Sequence, residues 1–476
     1  MSDPLIQLRQ ARARADLLRM SDAARAVVEA GPPLGGAWAE VVSLAIEAGD
    51  EVAAVLAGEK LVAEAPQHRE SWSWLATAQA ALGHEADALK TLERALAREP
   101  EHPGLNRRAG RLLLDLGRRR EAEVRFGASL AREPNSATGW EGLVDARRFS
   151  AEDELLVQLE QLRVNLDANT PATERGIVSY ALARAYEDMG EYEVSARRVS
   201  EAAAFYREGA PFDIDHHDAA VAHLLRTYDQ SFASANAEAG LLDARPVFLL
   251  APPRSGASWL SRVLVAGEDA VALPRRNALF WMAGAPLGDH TREELHKAME
   301  ASPGEGVLAE VARTYLTRLR ERVGRAPRRV IDAGGVNELA GGAIGLALPA
   351  ARFIVVTREP RDLAWAIYKH RFRRARHWTY HPDDIARILA CHRALMARWA
   401  EIFPERVLFV SYEELSRDPE NEVRRAAFFA GVDADAAATE AWMRRDELSA
   451  DPPGVHGRAG DRFAPLEQAL ERAGLA

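Results

Sequence analysis

The sequence predicts two architectures in one chain: an all-α front of repeated helical hairpins wound into a superhelix, and an α/β back built on a parallel sheet with a phosphate-type loop. Three observations predict this. The front carries a 34-residue period, residues near 250 read strand–loop–helix, and apolar runs then alternate with helical stretches to the end. A length of 476 residues suits two to four domains. The pattern sets them at 1–150 for the repeats, 151–240 for a further helical hairpin and linker, and 241–476 for the α/β domain.

The period is carried by four residue types. Prolines fall at Pro32, Pro66, Pro100 and Pro134, glycines at Gly49, Gly83 and Gly117, and alanines at Ala54, Ala88 and Ala122. Trp38, Trp72 and Trp140 share one phase, with Asn106 in the remaining slot. Each unit reads as a helical hairpin. The glycine takes the left-handed turn that ends the first helix, the alanine lets the second pack closely, and the proline closes it. The array resembles the tetratricopeptide repeat over about residues 5–150. Stacked hairpins of this kind present a concave face, so the expected partner is a protein or peptide.

Beyond 150 the period decays. Residues 177–208 read as one more hairpin turning at Gly190. The stretch 211–220 gathers Asp213, Asp215, His216, His217 and Asp218, but adjacent histidines do not share a helix face as a helical metal site requires. It reads as a polar linker and helix cap, and no metal is expected.

Composition narrows the classes. With 47% hydrophobic and 28% charged residues the chain is globular in type. No apolar run approaches the ~18 residues of a membrane helix. The start, MSDPLIQLRQARARAD, is charged where a signal peptide is apolar, so a cytoplasmic location is expected. One cysteine, Cys391, excludes an internal disulfide and reads as a small core residue. Residues 1–240 hold 27 basic and 39 acidic side chains, and 241–476 hold 34 and 32. An acidic front argues against nucleic acid as a partner.

The back opens on PVFLL (246–250), an apolar run suited to a buried strand, followed by APPRSGASWL and a helical pattern. Backbone N–H groups in such a loop converge on an anion, with the helix start adding its positive end. Gly256 permits close approach, Ser255 and Ser258 offer hydroxyls, and Arg254 adds a fixed charge. No lysine lies in the loop, so it is not a Walker motif. Further strands are expected at 328–334, 351–359 and 406–412, with helices around 337–348, 361–375 and 383–403. Arg358 then sits at a strand's C-terminal end, on the ligand edge of a parallel sheet. The run 370–378 is basic with interleaved aromatics, a composition that suits nucleic acid, cofactor phosphates, an acidic substrate or a solvated helix end, with nucleic acid disfavoured by the overall acidity.

Three motifs in this order, PRSGASWL (253–260), REPRD (358–362) and VSYEELSRDPE (410–420), resemble the sulfotransferase family. The chain resembles bacterial sulfotransferases fused to tetratricopeptide repeats. The resemblance implies 3′-phosphoadenylyl sulfate as sulfate donor and adenosine 3′,5′-bisphosphate as its product, without a metal. It assigns Arg254, Ser255, Gly256, Ala257, Ser258 and Trp259 to the 5′-phosphosulfate and Arg358 to the 3′-phosphate. His456 and Arg458 match a C-terminal segment that closes the cofactor site in kin.

The departures from that pattern fall on the chemistry. A serine of the 3′-phosphate site is replaced by Ala366, and the usual catalytic glutamate by Arg275, beside Arg276. A segment that carries lysine and proline in kin reads Asp332-Ala333-Gly334-Gly335-Val336-Asn337. The catalytic candidates left are Arg254 for charge stabilisation, Asp332 at a strand end, and Glu268 after the first helix; Asp289 and His290 lie in a stretch the pattern does not place. The expected activity is sulfuryl transfer to an acceptor hydroxyl. The alternative is a catalytically degenerate nucleotide-binding or scaffold protein.

Overall fold

The computed structural model describes residues 4–14, 16–209, 212–273, 305–324, 326–335, 337–372, 376–444, 447 and 451–475. Arg275, Arg276, Asp289, His290, Val336, Arg373 and Arg374 lie outside them. The chain forms two compact units, each assembled from three stretches. One holds residues 61–214, 360–388 and 454–476, the other 1–60, 215–359 and 389–453.

The first unit is helical. Hairpins Arg69–Leu82/Glu85–Leu96, Pro103–Asp115/Arg119–Arg132 and Ala137–Ala146/Glu154–Asn165 follow the period, and Ala172–Asp188/Tyr192–Gly209 continues beyond it. Gly83, Gly117 and Gly190 all take positive φ, from 75° to 93°, where a side chain would be strained. Ala88 and Ala122 are fully buried at the crossing of the paired helices. The shared tryptophan phase has a polar reason. Trp72 and Trp140 each donate Nε1 to the carbonyl of the proline six residues earlier, Pro66 and Pro134, at 2.8 Å. Asn106 donates Nδ2 to Pro100 at the same 2.8 Å, so the slot that lacks indole keeps its hydrogen bond.

The second unit holds the sheet, with helices Pro4–Ala13, Leu17–Ala30 and Trp38–Glu47 from the start of the chain. Helix Leu17–Ala30 is tied to helix Glu305–Val323 by Arg318 and Asp22 at 2.6 Å, and Glu51, at the start of the helix after Trp38–Glu47, pairs with Arg322 at 3.0 Å. Strands β1 (Pro246–Leu250), β2 (Ala270–Leu273), β3 (Arg329–Asp332), β4 (Arg352–Thr357) and β5 (Val407–Ser411) pair in parallel in the order β2-β3-β1-β4-β5. Both faces are covered, so side chains alternate between two cores. Phe248, Leu250, Val330, Phe353 and Val355 join Tyr315, Ile344, Trp399 and Phe403. Val247, Leu249, Ile331, Ile354 and Val356 join Leu260, Val263, Val410 and Leu415.

β1 matches its expected bounds, and the other expected strands form within theirs. β2 was not expected: four residues are too few for a period-two signal, and it exists through its register with β3, from Ala270↔Arg329 to Leu273↔Asp332. The helix expected over 361–375 is Pro360–Tyr368. Tyr180 donates its hydroxyl to the Tyr368 carbonyl at 3.1 Å, which satisfies a last-turn acceptor where the helix stops.

Candidate functional site

The chain enters β3 and β4 on opposite sides of β1, so the loop after β1 lies where the strand order reverses. In open parallel sheets that point, at the strands' C-terminal ends, is where a crevice forms. The loop is residues 251–256, and helix Ala257–Val263 starts directly after it. Gly256 has φ 94°, and a Cβ there would come within 2.7 Å of the Tyr412 ring. Arg254 has φ 69°, the one positive φ at a non-glycine among the described residues. That conformation costs about 1–2 kcal/mol and persists only when surroundings impose it.

Arg358 imposes it. Following β4, its guanidinium donates Nη1 to the Arg254 carbonyl at 2.7 Å and Nη2 to the Asp451 carbonyl at 2.9 Å. It also lies over the Tyr412 ring, 4.2 Å from the centroid, and Tyr412 donates its hydroxyl to the same Asp451 carbonyl at 2.9 Å. Burial pushes that phenol's pKa up. Arg358 is only 7% exposed. The Arg254 guanidinium pairs with the Asp451 carboxylate, the arginine side chain a third exposed and the aspartate buried.

The other loop residues divide. Ser255 is buried and donates to the Pro252 carbonyl at 2.8 Å, so its hydroxyl shapes the loop. Ser258 is exposed. Ala257 and Trp259 are buried, and the indole donates to the Arg444 carbonyl at 3.2 Å.

The two carboxylates taken from sequence as catalytic candidates stand differently. Glu268 precedes β2, and the neighbouring Asp269 carbonyl accepts from the N–H groups that lead into β3. It therefore lies at the strands' N-terminal edge, opposite the loop, and the expectation of a catalytic Glu268 is corrected. The helix after the loop carries the chain back across the sheet before Glu268 is reached. Asp332 does end β3 on the ligand edge, but it is fully buried. Its Oδ1 accepts from Gly334 N at 3.1 Å and Asn337 Nδ2 at 2.8 Å, and its Oδ2 from the Tyr315 hydroxyl at 3.0 Å. Burial and the carboxylate together hold the Tyr315 phenol well above its ordinary pKa. Ala333 and Ala366 are buried.

The expectation that the basic run 370–378 serves cofactor phosphates is corrected at Arg371. Its guanidinium forms a two-pronged pair with Glu141 at 2.7 and 2.8 Å, both side chains largely buried. Those hydrogen bonds and charge outweigh burial and raise its pKa further. In the same unit Arg458 faces Glu187 at 3.6 Å and the Tyr192 ring. In the sheet unit, Cys391 is partly buried against the apolar core, with its thiol 3.4 Å from Asp218 and His217 beside that carboxylate. His216, His217 and Asp218 lie within helix Ile214–Thr227.

Asp362 of the REPRD segment does more than open a helix. Its carboxylate accepts from Gly454 N at 2.6 Å and from His456 N at 3.0 Å, with the His456 ring at 2.6 Å. Burial raises its pKa, but these hydrogen bonds outweigh it and leave the group below its ordinary 3.8. A depressed folded value adds stability that is present above the ordinary pKa and lost as pH falls through the lower one. Asp362→Asn is therefore expected to lose about 1–3 kcal/mol at neutral pH. Thermal melts across pH should show the gap to wild type closing below about pH 4.

Residues 246–436 match the family model described as Sulfotransferase family, and residues 85–144 the one described as Tetratricopeptide repeat. The chain carries a sulfotransferase-family domain behind a tetratricopeptide repeat. The loop, β3, β4 with Arg358, and Tyr412 all fall within that domain; Asp451 lies beyond the matched residues. An uncharacterized protein of Aquifex aeolicus is 25% identical over 296 residues, 60% of this chain; the match spans 38% of that relative's length. Among solved structures, the sulfotransferase of Alicyclobacillus acidocaldarius is similar at 22% identity and TM-score 0.30, covering 48% of this chain and 96% of that one. The sulfotransferase domain of the Synechococcus PCC 7002 olefin synthase is similar at 18% and 0.31, covering 50% and 97%. No helix among the described residues is long and apolar enough to cross a membrane.

Two residues of the network around this loop were not singled out from sequence. Tyr412 lies inside the quoted VSYEELSRDPE motif, where a tyrosine at a strand end gives no sign of its partners. Asp451 sits in ADPPG, which reads only as a turn.

Proposed function

We propose that this chain is a sulfotransferase that moves the sulfuryl group of 3′-phosphoadenylyl sulfate to an acceptor hydroxyl, with the repeats docking a protein or peptide acceptor. The observation that carries the reading is the loop 251–256 at the strand-order reversal, held open by a positive φ at Arg254 and Gly256. The residues present fit the donor's 5′ end: a partly exposed guanidinium at Arg254, an exposed hydroxyl at Ser258 and a glycine where the ring of Tyr412 excludes a side chain. They fit the 3′-phosphate less well. Both terminal nitrogens of Arg358 already donate to carbonyls, and Ala366 brings no hydroxyl. The donor supplies the activated sulfuryl group; Arg254 would neutralise charge at its 5′ end and Arg358 would keep the loop in shape.

Asp332 favours the second reading, a nucleotide-binding protein without transfer activity, because its oxygens already accept three hydrogen bonds away from solvent. Calorimetry with adenosine 3′,5′-bisphosphate tests the shared part. Wild type is expected to bind, and Arg254→Ala to bind on the order of 10–100-fold more weakly, as for loss of one charge-assisted contact. Transfer of labelled sulfate to acceptors in a cell extract then separates the readings. Binding without any transfer would leave the second; no binding by any folded form of the protein would reject both.

A further inference from the structure

We propose that Asp451 is an internal competitor for the nucleotide site: its carboxylate occupies the Arg254 guanidinium that an incoming phosphate or sulfate needs, and so sets the site's affinity. The inference rests on the nucleotide-binding reading above.

Four separate segments meet here. Arg254 follows β1, Arg358 follows β4, Tyr412 follows β5, and Asp451 comes from far along the chain. The Asp451 backbone is fixed twice, its carbonyl taking hydrogen bonds from Arg358 Nη2 and the Tyr412 hydroxyl, both at 2.9 Å. With the carbonyl pinned, the side chain is delivered to Arg254 rather than drifting there. The carboxylate is buried while the guanidinium keeps a third of its side chain exposed, so a ligand can reach the cation from its open side.

A carboxylate is also the protein group that most resembles the ligand's own anion. Arginine recognises both through the same planar pair of N–H donors. With Asp451 in place the loop and its two arginines carry a net charge one unit less positive. An incoming phosphate must either displace the carboxylate from Arg254 or bind beside it against like-charge repulsion. Either route weakens binding. The same pair gives Arg254, which stands at φ 69°, a side-chain partner in addition to the Arg358 clasp on its carbonyl.

The test is calorimetry with adenosine 3′,5′-bisphosphate on wild type, Asp451→Asn, Asp451→Ser and Asp451→Glu, each also in the Arg254→Ala background, with circular dichroism to establish folding. Both neutral variants are expected to bind about 10–100-fold more tightly than wild type, the size of one charge-assisted contact regained by the ligand. Asp451→Glu, which keeps the charge, should stay near wild type. In the Arg254→Ala background the gain should fall below about threefold, because the two residues act on each other. Having two neutral variants covers the case in which one does not fold. A folded neutral variant that binds no better than wild type, or a gain that survives loss of Arg254, overturns the proposal while leaving nucleotide binding intact. If neither wild type nor any neutral variant binds, the nucleotide reading itself fails and the proposal falls with it.

Discussion

Arg358→Ala is expected to lower stability by about 3–4 kcal/mol and to abolish nucleotide binding together. The side chain is buried, donates to two carbonyls and covers an aromatic ring, so its removal leaves a cavity and forfeits charge-assisted hydrogen bonds. The loss is not confined to the arginine. Without Nη1 on its carbonyl, Arg254 has less to hold it at φ 69°, and the backbone can relax by about 1–2 kcal/mol into an ordinary region. The loop then loses the hydrogen bond that ties its backbone to the residue after β4. Arg358→Lys separates the two effects. A lysine keeps the charge near the site but cannot span two carbonyls with a planar fork. It should lose most of the binding while losing less stability than alanine. Urea melts and calorimetry on the three proteins check this; a lysine variant that binds like wild type would show that charge alone, not the clasp, is what the loop needs.

Part of this network is legible in the sequence, and the rest is hidden in it for identifiable reasons. The repeat was legible because each unit must solve the same problem at the same position. Gly83 and Gly117 reverse the chain, Ala88 and Ala122 admit a neighbour, and even Asn106 keeps the hydrogen bond of the tryptophans it replaces. The loop was legible because strand, small residues and helix are contiguous. Arg371 looks solvated in the sequence because its partner, Glu141, lies 230 residues earlier, and nothing nearby in the basic run neutralises it. Asp451 was invisible for the same reason, 197 residues from Arg254. β2 escaped because four residues carry no period. Residues 1–60 read as the first repeats, yet they pack with the sheet unit through pairs such as Arg322–Glu51 that no local pattern announces.

Asp332 supplies the sharper test of how the site works. Asp332→Ala should lose about 3–5 kcal/mol, because it strands the Tyr315 hydroxyl, the Asn337 amide and the Gly334 N–H in a dry interior. Asp332→Asn should lose far less. The asparagine oxygen can still accept from Gly334 and Asn337, and its amide can donate to the Tyr315 oxygen, which has lone pairs to receive it. The two variants therefore dissociate structure from chemistry. A general base contributes ~10²–10⁴-fold to such a transfer. If Asp332 took the acceptor's proton, asparagine would fold well and lose the whole of that factor. A carboxylate whose oxygens face a buried phenol, an amide and a backbone N–H organises the turn after β3 instead, and asparagine should keep sulfate transfer within about tenfold of wild type. Labelled-sulfate rates and urea melts on both variants decide it. A folded asparagine variant with transfer reduced a hundredfold or more would return Asp332 to the reaction and require it to become accessible during turnover, since no acceptor hydroxyl reaches a fully buried side chain.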